Sequence, residues 1–225
     1  MSSLEQRLRQ IDERITARLL ANQRDASSLT RIVVSKFHPA QLVRELHDLG
    51  VRDFGENRDQ EASAKALEVA DLALTWHFIG QLQSNKVKSV LNYAKVIHSL
   101  DRPSLLDALV KQTAGAQTPT DVFVQVNLTD DPGRGGVEPG ELLAFADRVA
   151  QVETLNLLGL MSVASLDGQE ERDFAKIAGL SDLLKTEHPG AKFISAGMSN
   201  DFELAVDYGA THLRIGTAIT GNREY

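Results

Sequence analysis

The chain predicts an α/β fold, a single (β/α)8 barrel of the TIM type with an extra N-terminal helix. Three observations carry this expectation. Short β-branched runs alternate with longer amphipathic stretches, which demands parallel strands joined by helical crossovers. The strand-like runs number eight within 225 residues, about the length that fold needs. No composition break, internal repeat or low-complexity segment divides the chain, so residues 1–225 are expected to act as one domain. An open doubly wound sheet is the competing arrangement. The barrel is preferred because a helix within residues 1–24 can supply the outer cover that the short tail after the eighth strand lacks.

The elements follow in order. Ser3-Leu-Glu-Gln6 reads as a capping box, and Leu4, Leu8, Ile11, Ile15 and Leu19 form one apolar stripe behind it. Strands are expected near 29–35, 51–54, 75–79, 94–98, 121–127, 156–161, 192–196 and 211–215. Helices are expected over 39–49, 56–70, 81–91, 103–113, 139–152, 169–187 and 200–208. Pro39 suits a first helical turn, while Gly50 and Gly209 suit helix ends. Thr129–Gly140, rich in glycine and proline, is a long loop after the fifth strand. It is either a lid over a site or a surface loop.

Bulk properties exclude several classes. With 42% hydrophobic residues a packed core is expected. A net charge of −7 with scattered basic residues argues against broad nucleic-acid binding. The chain has no cysteine, which removes disulfides, thiolate zinc sites and thiol catalysis. A charged N-terminus and the lack of a long apolar run point to a soluble cytoplasmic protein with no membrane partner.

Active sites of such barrels lie where strands end. Lys36 ends the first strand, and an amine held in a pocket and partly desolvated can form a Schiff base; the alternative is a solvated lysine. Gly197-Met-Ser199 and Arg214-Ile-Gly-Thr217 follow the seventh and eighth strands, where barrels often hold phosphate. The Ser199 hydroxyl, at the start of a helix from Asn200, joins the Gly216 and Thr217 backbone and the Thr217 hydroxyl as candidate anion donors. The alternative is an ordinary helix cap and tight turn. Arg214, always a donor, would leave a facing pyridine nitrogen unprotonated; otherwise it pairs with Asp201 or Glu203. Lysine, phosphate cup and arginine together suggest pyridoxal 5'-phosphate (PLP).

Further pieces carry a resemblance: Phe54-Gly-Glu-Asn57 with Gln60-Glu61, Trp76 through Lys86, His98-Ser99 with Asp101, Gln125-Val-Asn127, Gly159-Leu-Met161, Gly197 through Asp201, and Arg214 through Thr217 with Gly221. With Val34-Ser-Lys36 they resemble the pyridoxal phosphate homeostasis protein family, related to the N-terminal barrel of alanine racemases. The resemblance implies a PLP-binding barrel with Lys36 as the Schiff-base lysine. It places Ser199, Gly216 and Thr217 on the phosphate, Arg214 at the pyridine nitrogen and Asn57 beside the cofactor. It implies a protein of intracellular PLP homeostasis that keeps a reactive aldehyde bound and available, without robust turnover. PLP-requiring apo-enzymes are the partners it suggests.

Some positions depart from the family. His38 and Arg134 stand where lysines are usual, which leaves a secondary lysine-based site in doubt. Met161-Ser-Val-Ala-Ser lacks the usual proline, and Ser195-Ala-Gly replaces Ser-Met-Gly; neither change should disturb the cup.

Among other residues, Trp76 and Phe78 are expected to pack, His77 and His98 to make core or rim hydrogen bonds rather than bind metal, and Lys86 and Lys88 to be solvated. Asn127 is expected to satisfy local backbone. A PLP-dependent amino-acid racemase is the alternative function. It needs a second base, and none of Tyr93, Tyr208 and Tyr225 lies at a strand end. In racemases of this kind the opposing tyrosine comes from an extra C-terminal domain, which the chain is not expected to have. A barrel enzyme acting on a phosphorylated metabolite would use the same cup. An acidic lone barrel leans toward a monomer.

Overall fold

The computed structural model describes residues 2–129, 135–165 and 168–221. Eight parallel strands close into a barrel in sequence order. They are β1 Thr30–Val34, β2 Asp53–Glu56, β3 Thr75–Phe78, β4 Ala94–Leu100, β5 Thr120–Gln125, β6 Leu155–Met161, β7 Phe193–Ser195 and β8 His212–Ile215. Closure is made by β1 on β8, with Thr30 opposite His212 and Val33 opposite Ile215.

The N-terminal helix α1, Ser3–Ala21, buries the stripe Leu4, Leu8, Ile11, Ile15 and Leu19. Its cap lies one residue earlier than the pattern indicated: Ser2 Oγ accepts from Glu5 N at 3.1 Å, because Glu5 rather than Gln6 sits three residues after the serine that caps. The helix packs on α8 (Phe202–Asp207) and α9 (Thr217–Thr220), the elements flanking β8. Arg7 donates to the Ile219 and Thr220 carbonyls, and Arg24 to those of Val206 and Ala210. The Ile219 and Thr220 carbonyls, at the end of α9, would otherwise lack intrahelical donors.

The remaining helices are α2 Ala40–Asp48, α3 Asp59–Glu68, α4 Val87–Val90, α5 Pro103–Thr113, α6 Leu142–Ala150 and α7 Glu170–Glu187. Two differ from the sequence pattern. The expected helix over 81–91 is reduced to a 3-10 turn, Ser84–Lys86, and the four residues of α4. Leu82 is buried but the next buried apolar residue is Val87, so no continuous stripe exists, and Arg102 takes the Leu82 carbonyl. The helix expected from Glu56 starts at Asp59, because Glu56 ends β2 with its carboxylate buried.

Trp76 and Phe78 face the helices, with Trp76 against Phe54 at 5.7 Å between centroids. Inside the barrel, His98 stacks on Phe123 at 4.6 Å, and His212 meets Phe123 and Phe193 edge-on. The interior is therefore packed with rings rather than open. Gly159, at φ 149°, sits where β6 meets β7; a Cβ there would lie 1.9 Å from the Phe193 carbonyl oxygen. Gly179, by contrast, lies within α7 with open space around it.

These two glycines are expected to respond in opposite ways. Gly159→Ala should cost about 3 kcal/mol or more, or prevent folding, while Gly179→Ala should stabilise by roughly 0.5–1 kcal/mol. Urea denaturation midpoints of the two variants check this.

Candidate functional site

A cavity of about 650 Å³ opens at the C-terminal ends of the strands. Its walls include Val34, the last residue of β1, Lys36 after it, Ile79 after β3, Ser199 after β7, and Arg214, Gly216 and Thr217 around the end of β8. Closure of β1 on β8 is what brings the first and last of these together.

Lys36 projects from a tight kink. Ser35 N donates to the Gly55 carbonyl, Ser35 Oγ to Glu56 Oε1 at 2.8 Å, and Lys65 Nζ to the Ser35 carbonyl at 2.8 Å. Lys65 also pairs with Glu56 Oε1 inside the barrel wall. Phe37 then takes φ 67°, a left-handed conformation that costs a non-glycine residue roughly 1–2 kcal/mol. The backbone there is held by Glu61, which accepts from Phe37 N. Such strain persists where the surroundings over-determine it, as this buried Ser35–Glu56–Lys65 cluster does. Lys36 is exposed at the cavity rather than desolvated, and among the described residues no carboxylate pairs with it.

The anion cradle is built from two loops. Ser199 Oγ accepts from Gly216 N at 3.3 Å and Ala218 N at 3.2 Å, and Thr217 Oγ1 lies 3.4 Å away. Ser199 thus does not cap a helix from Asn200, the alternative that its position in sequence left open. That helix starts at Phe202, and Asp201 Oδ1 instead accepts from Met198 N at 2.6 Å, turning the loop so that Ser199 faces α9. Gly197, at φ 92°, is required there because a Cβ would lie 2.6 Å from the Ala205 Cβ. Its carbonyl accepts from Arg214 N, which ties the two loops together.

Arg214 is buried, 4% exposed. It donates from Nη1 to Ser195 Oγ at 2.6 Å and from Nη2 to the Ser162 carbonyl at 2.8 Å. Among the described residues its guanidinium forms no salt bridge, since Glu203 pairs with Arg14; Asp201 acts on it at longer range. Burial pushes Arg214 down to about 10, which leaves it cationic at neutral pH.

Behind Arg214 the histidines make hydrogen bonds, as expected, but deep in the barrel. His98 Nδ1 meets Ser195 Oγ at 2.8 Å, His98 Nε2 meets His77 Nδ1 at 2.9 Å, and His77 Nε2 meets Asp53 Oδ1 at 3.1 Å. Among the described residues no cluster of His, Cys, Asp or Glu could hold a metal. Burial, then the repulsion a charged His98 would meet from its neighbours, holds His98 well below the usual imidazole range; burial pushes His212 down to about 4.

Asn57 does not line this cavity. It lies in an adjoining groove of about 390 Å³ with Arg58, Phe78 and Lys86, its Oδ1 buried without a hydrogen-bond partner. Asn127 serves local backbone, its Oδ1 accepting from Thr129 N. Lys86 lies 3.8 Å from Asp59. The loop after β5 is anchored at its base, where Val137 N donates to the Gln125 carbonyl. Arg134 and the tip of that loop lie outside the described residues. Sequence reasoning missed Ser35, Lys65, Asp53 and Ser195. Lys65 resembled a surface helix lysine, and the other three gain meaning only once the barrel closes.

Comparison with known proteins fits this geometry. A model of the family described as "Alanine racemase, N-terminal domain" matches residues 14–224. The chain is 39% identical to the pyridoxal phosphate homeostasis protein of Pseudomonas aeruginosa, covering 100% of this chain and 98% of that one. It is 36% identical to the protein of that name from Escherichia coli K12, covering 100% and 99%. The solved structure of PipY from Synechococcus elongatus with PLP bound matches with a TM-score of 0.81 and 37% identity, covering 92% of this chain and 100% of that one. The alanine racemase of Corynebacterium glutamicum, 13% identical, shares the fold with a TM-score of 0.68 over 95% of this chain and 61% of its own. The fold and the lysine-lined cavity define an alanine-racemase-type barrel. The chain belongs to that family and, within it, to the pyridoxal phosphate homeostasis proteins.

Two expectations follow from the buried groups. Lys65→Met should remove the partner of a buried carboxylate, which burial already pushes up, and cost about 3 kcal/mol or more in urea denaturation. His212 has a folded value of about 4, below its ordinary 6.5. The unfolded chain therefore binds the extra proton, and stability is lost as pH falls from about 6.5 toward 4. His212→Gln should flatten that slope by up to about 1.4 kcal/mol per pH unit. Denaturation midpoints of parent and variant at about pH 7.5 and about pH 5 check it, since the opposing Glu56 contribution is common to both.

Proposed function

We propose that the chain binds PLP as a Schiff base on Lys36 and serves in intracellular PLP homeostasis, holding the cofactor rather than turning over a substrate. One observation carries the reading. A lysine without a counter-ion among the described residues, a cradle of hydroxyl and backbone donors, and a buried guanidinium all face one cavity. Each fits a different part of PLP. The Lys36 amine can add to the aldehyde and lose water. The Ser199 and Thr217 hydroxyls and the backbone N–H groups of Gly216 and Thr217, at the start of a helical turn, can donate to the phosphate. Arg214 can only donate, so a pyridine nitrogen opposite it accepts through its lone pair and carries no proton. When bound, PLP supplies an electrophilic carbon whose electron demand is modest without a ring proton.

The racemase reading is set below this one. Among the described residues, neither Tyr93 nor Tyr208 lines the cavity, and the Tyr208 hydroxyl donates to Glu171; Tyr225 lies outside the described residues. No helix among the described residues is long and apolar enough to cross a membrane. With the function we propose that the chain acts as one PLP-binding domain, as a cytoplasmic monomer, and that PLP-requiring apo-enzymes receive the cofactor.

With PLP added, the parent is expected to develop a visible Schiff-base band that borohydride fixes as a covalent adduct on Lys36, and Lys36→Ala is expected to show neither. A colourless parent, or an unchanged band in the variant, overturns the proposal and favours a barrel acting on a phosphorylated metabolite. Lys36-dependent racemisation across a panel of amino acids would move the racemase above the carrier.

A further inference from the structure

A line of hydrogen bonds crosses the barrel from its floor to the cavity. It begins at Asp53, the first residue of β2, whose side chain is 31% exposed at the end opposite the cavity. It passes through His77, His98 and Ser195, all buried, and ends on Arg214. The four spacings run 3.1, 2.9, 2.8 and 2.6 Å, each within hydrogen-bond range.

The two ends dictate where every hydrogen goes. A guanidinium only donates, so Ser195 Oγ must accept from Arg214. The serine's own hydrogen then goes to His98 Nδ1, which must be bare. A neutral His98 therefore carries its proton on Nε2 and gives it to His77 Nδ1. His77 in turn carries its proton on Nε2 and gives it to Asp53, a carboxylate that only accepts. The opposite direction fails at both ends. It would face a bare imidazole nitrogen with a carboxylate, and would leave the Ser195 hydrogen without an acceptor between two donors. Burial, which disfavours a charged His98, agrees with a neutral ring at that position. Arg31 and His212 also feel Asp53, and Arg31 already pairs with Asp12.

We propose that Asp53, His77, His98 and Ser195 form one chain of single polarity that holds the Arg214 guanidinium in its orientation at the cavity. Asp53 is thereby a remote positioning residue for the PLP ring. The last step rests on the PLP reading; the polarity does not.

The test separates the two. Long-range proton–nitrogen NMR on histidine-labelled protein without ligand should show His77 and His98 both protonated on Nε2 alone at neutral pH. Asp53→Leu removes the terminal acceptor and Ser195→Ala the hydroxyl that donates to His98; since either end fixes the polarity, each alone should leave the protons on Nε2, and the double variant should redistribute the proton on both rings. Asp53→Asn in place of Asp53→Leu keeps an acceptor oxygen and should restore the parent pattern in the double variant. A proton on Nδ1 of either ring in the parent, a doubly protonated His77, or a double variant whose rings keep the parent pattern overturns the chain. With nitrogen-labelled PLP, Asp53→Leu and Ser195→Ala should each move the ring-nitrogen signal. Ser195→Ala should also weaken PLP binding by about threefold to tenfold, the effect of one lost hydrogen bond. Altered tautomers with an unmoved ring signal overturn the positioning role alone. Failure of the parent to bind PLP would overturn the functional reading while the ligand-free arm still decides the polarity.

Discussion

Everything at the mouth of this barrel depends on the pairing of β1 with β8. The register sets Val33 beside Ile215, so the residue after β1 and the residues after β8 emerge side by side. Lys36 and the Gly216–Thr217 turn are remote in sequence, and only closure places them on one cavity. Gly216 lies close to β1, since a Cβ there would rest 3.6 Å from the Val34 Cβ. Parallel strands allow this because all eight C-terminal ends face the same way. The helix α1 reinforces the seam from outside. Its Arg7, and Arg24 just after the helix, bond the carbonyls that end α9 and the segment before β8, so the cradle is braced by the first residues of the chain.

The interior departs from the branched aliphatic filling usual in such barrels. Two imidazoles, an arginine and a serine occupy positions where apolar residues would pack without polar obligations. Their burial is tolerable because they satisfy each other, and Phe123 stacks against His98 to exclude water from the bonds. A buried cation without a salt bridge, Arg214, is the costly element of that interior. It persists with two direct acceptors and part of its guanidinium turned to the cavity, which is what a binding group requires.

Much of this was legible in the sequence. Alternating β-branched and amphipathic runs report burial on two faces, so eight strands and their order could be read directly. Lys36, Ser199, Arg214, Gly216 and Thr217 sit at strand ends, and in a parallel barrel strand ends converge. Two kinds of information were not legible. Local geometry depends on competition among polar groups: Asp201 captures the Met198 N–H, so Ser199 turns toward α9 instead of capping a helix. Asn57 follows the same strand as Glu56, yet its backbone packs on Gly80 and its side chain turns into the adjoining groove. Long-range polar partners depend on closure. His98 and Ser195 are 97 residues apart, and no local spacing records that their side chains meet.

Two lysines stand near one carbonyl at the end of β1, and their surroundings decide which could take an aldehyde. Lys65 is 6% exposed and donates both to Glu56 and to the Ser35 carbonyl. Converting its amine to an imine would take donors from two buried acceptors, at a cost of about 1–3 kcal/mol for each group left unpaired. Lys36 has no such ties among the described residues; its amine lies over the Phe37 ring, 6.0 Å from the centroid. The buried lysine instead fixes the backbone from which the free one projects, because its bond to the Ser35 carbonyl holds the residue immediately before Lys36. One lysine is thus committed to structure so that the next along the cavity wall stays free for chemistry.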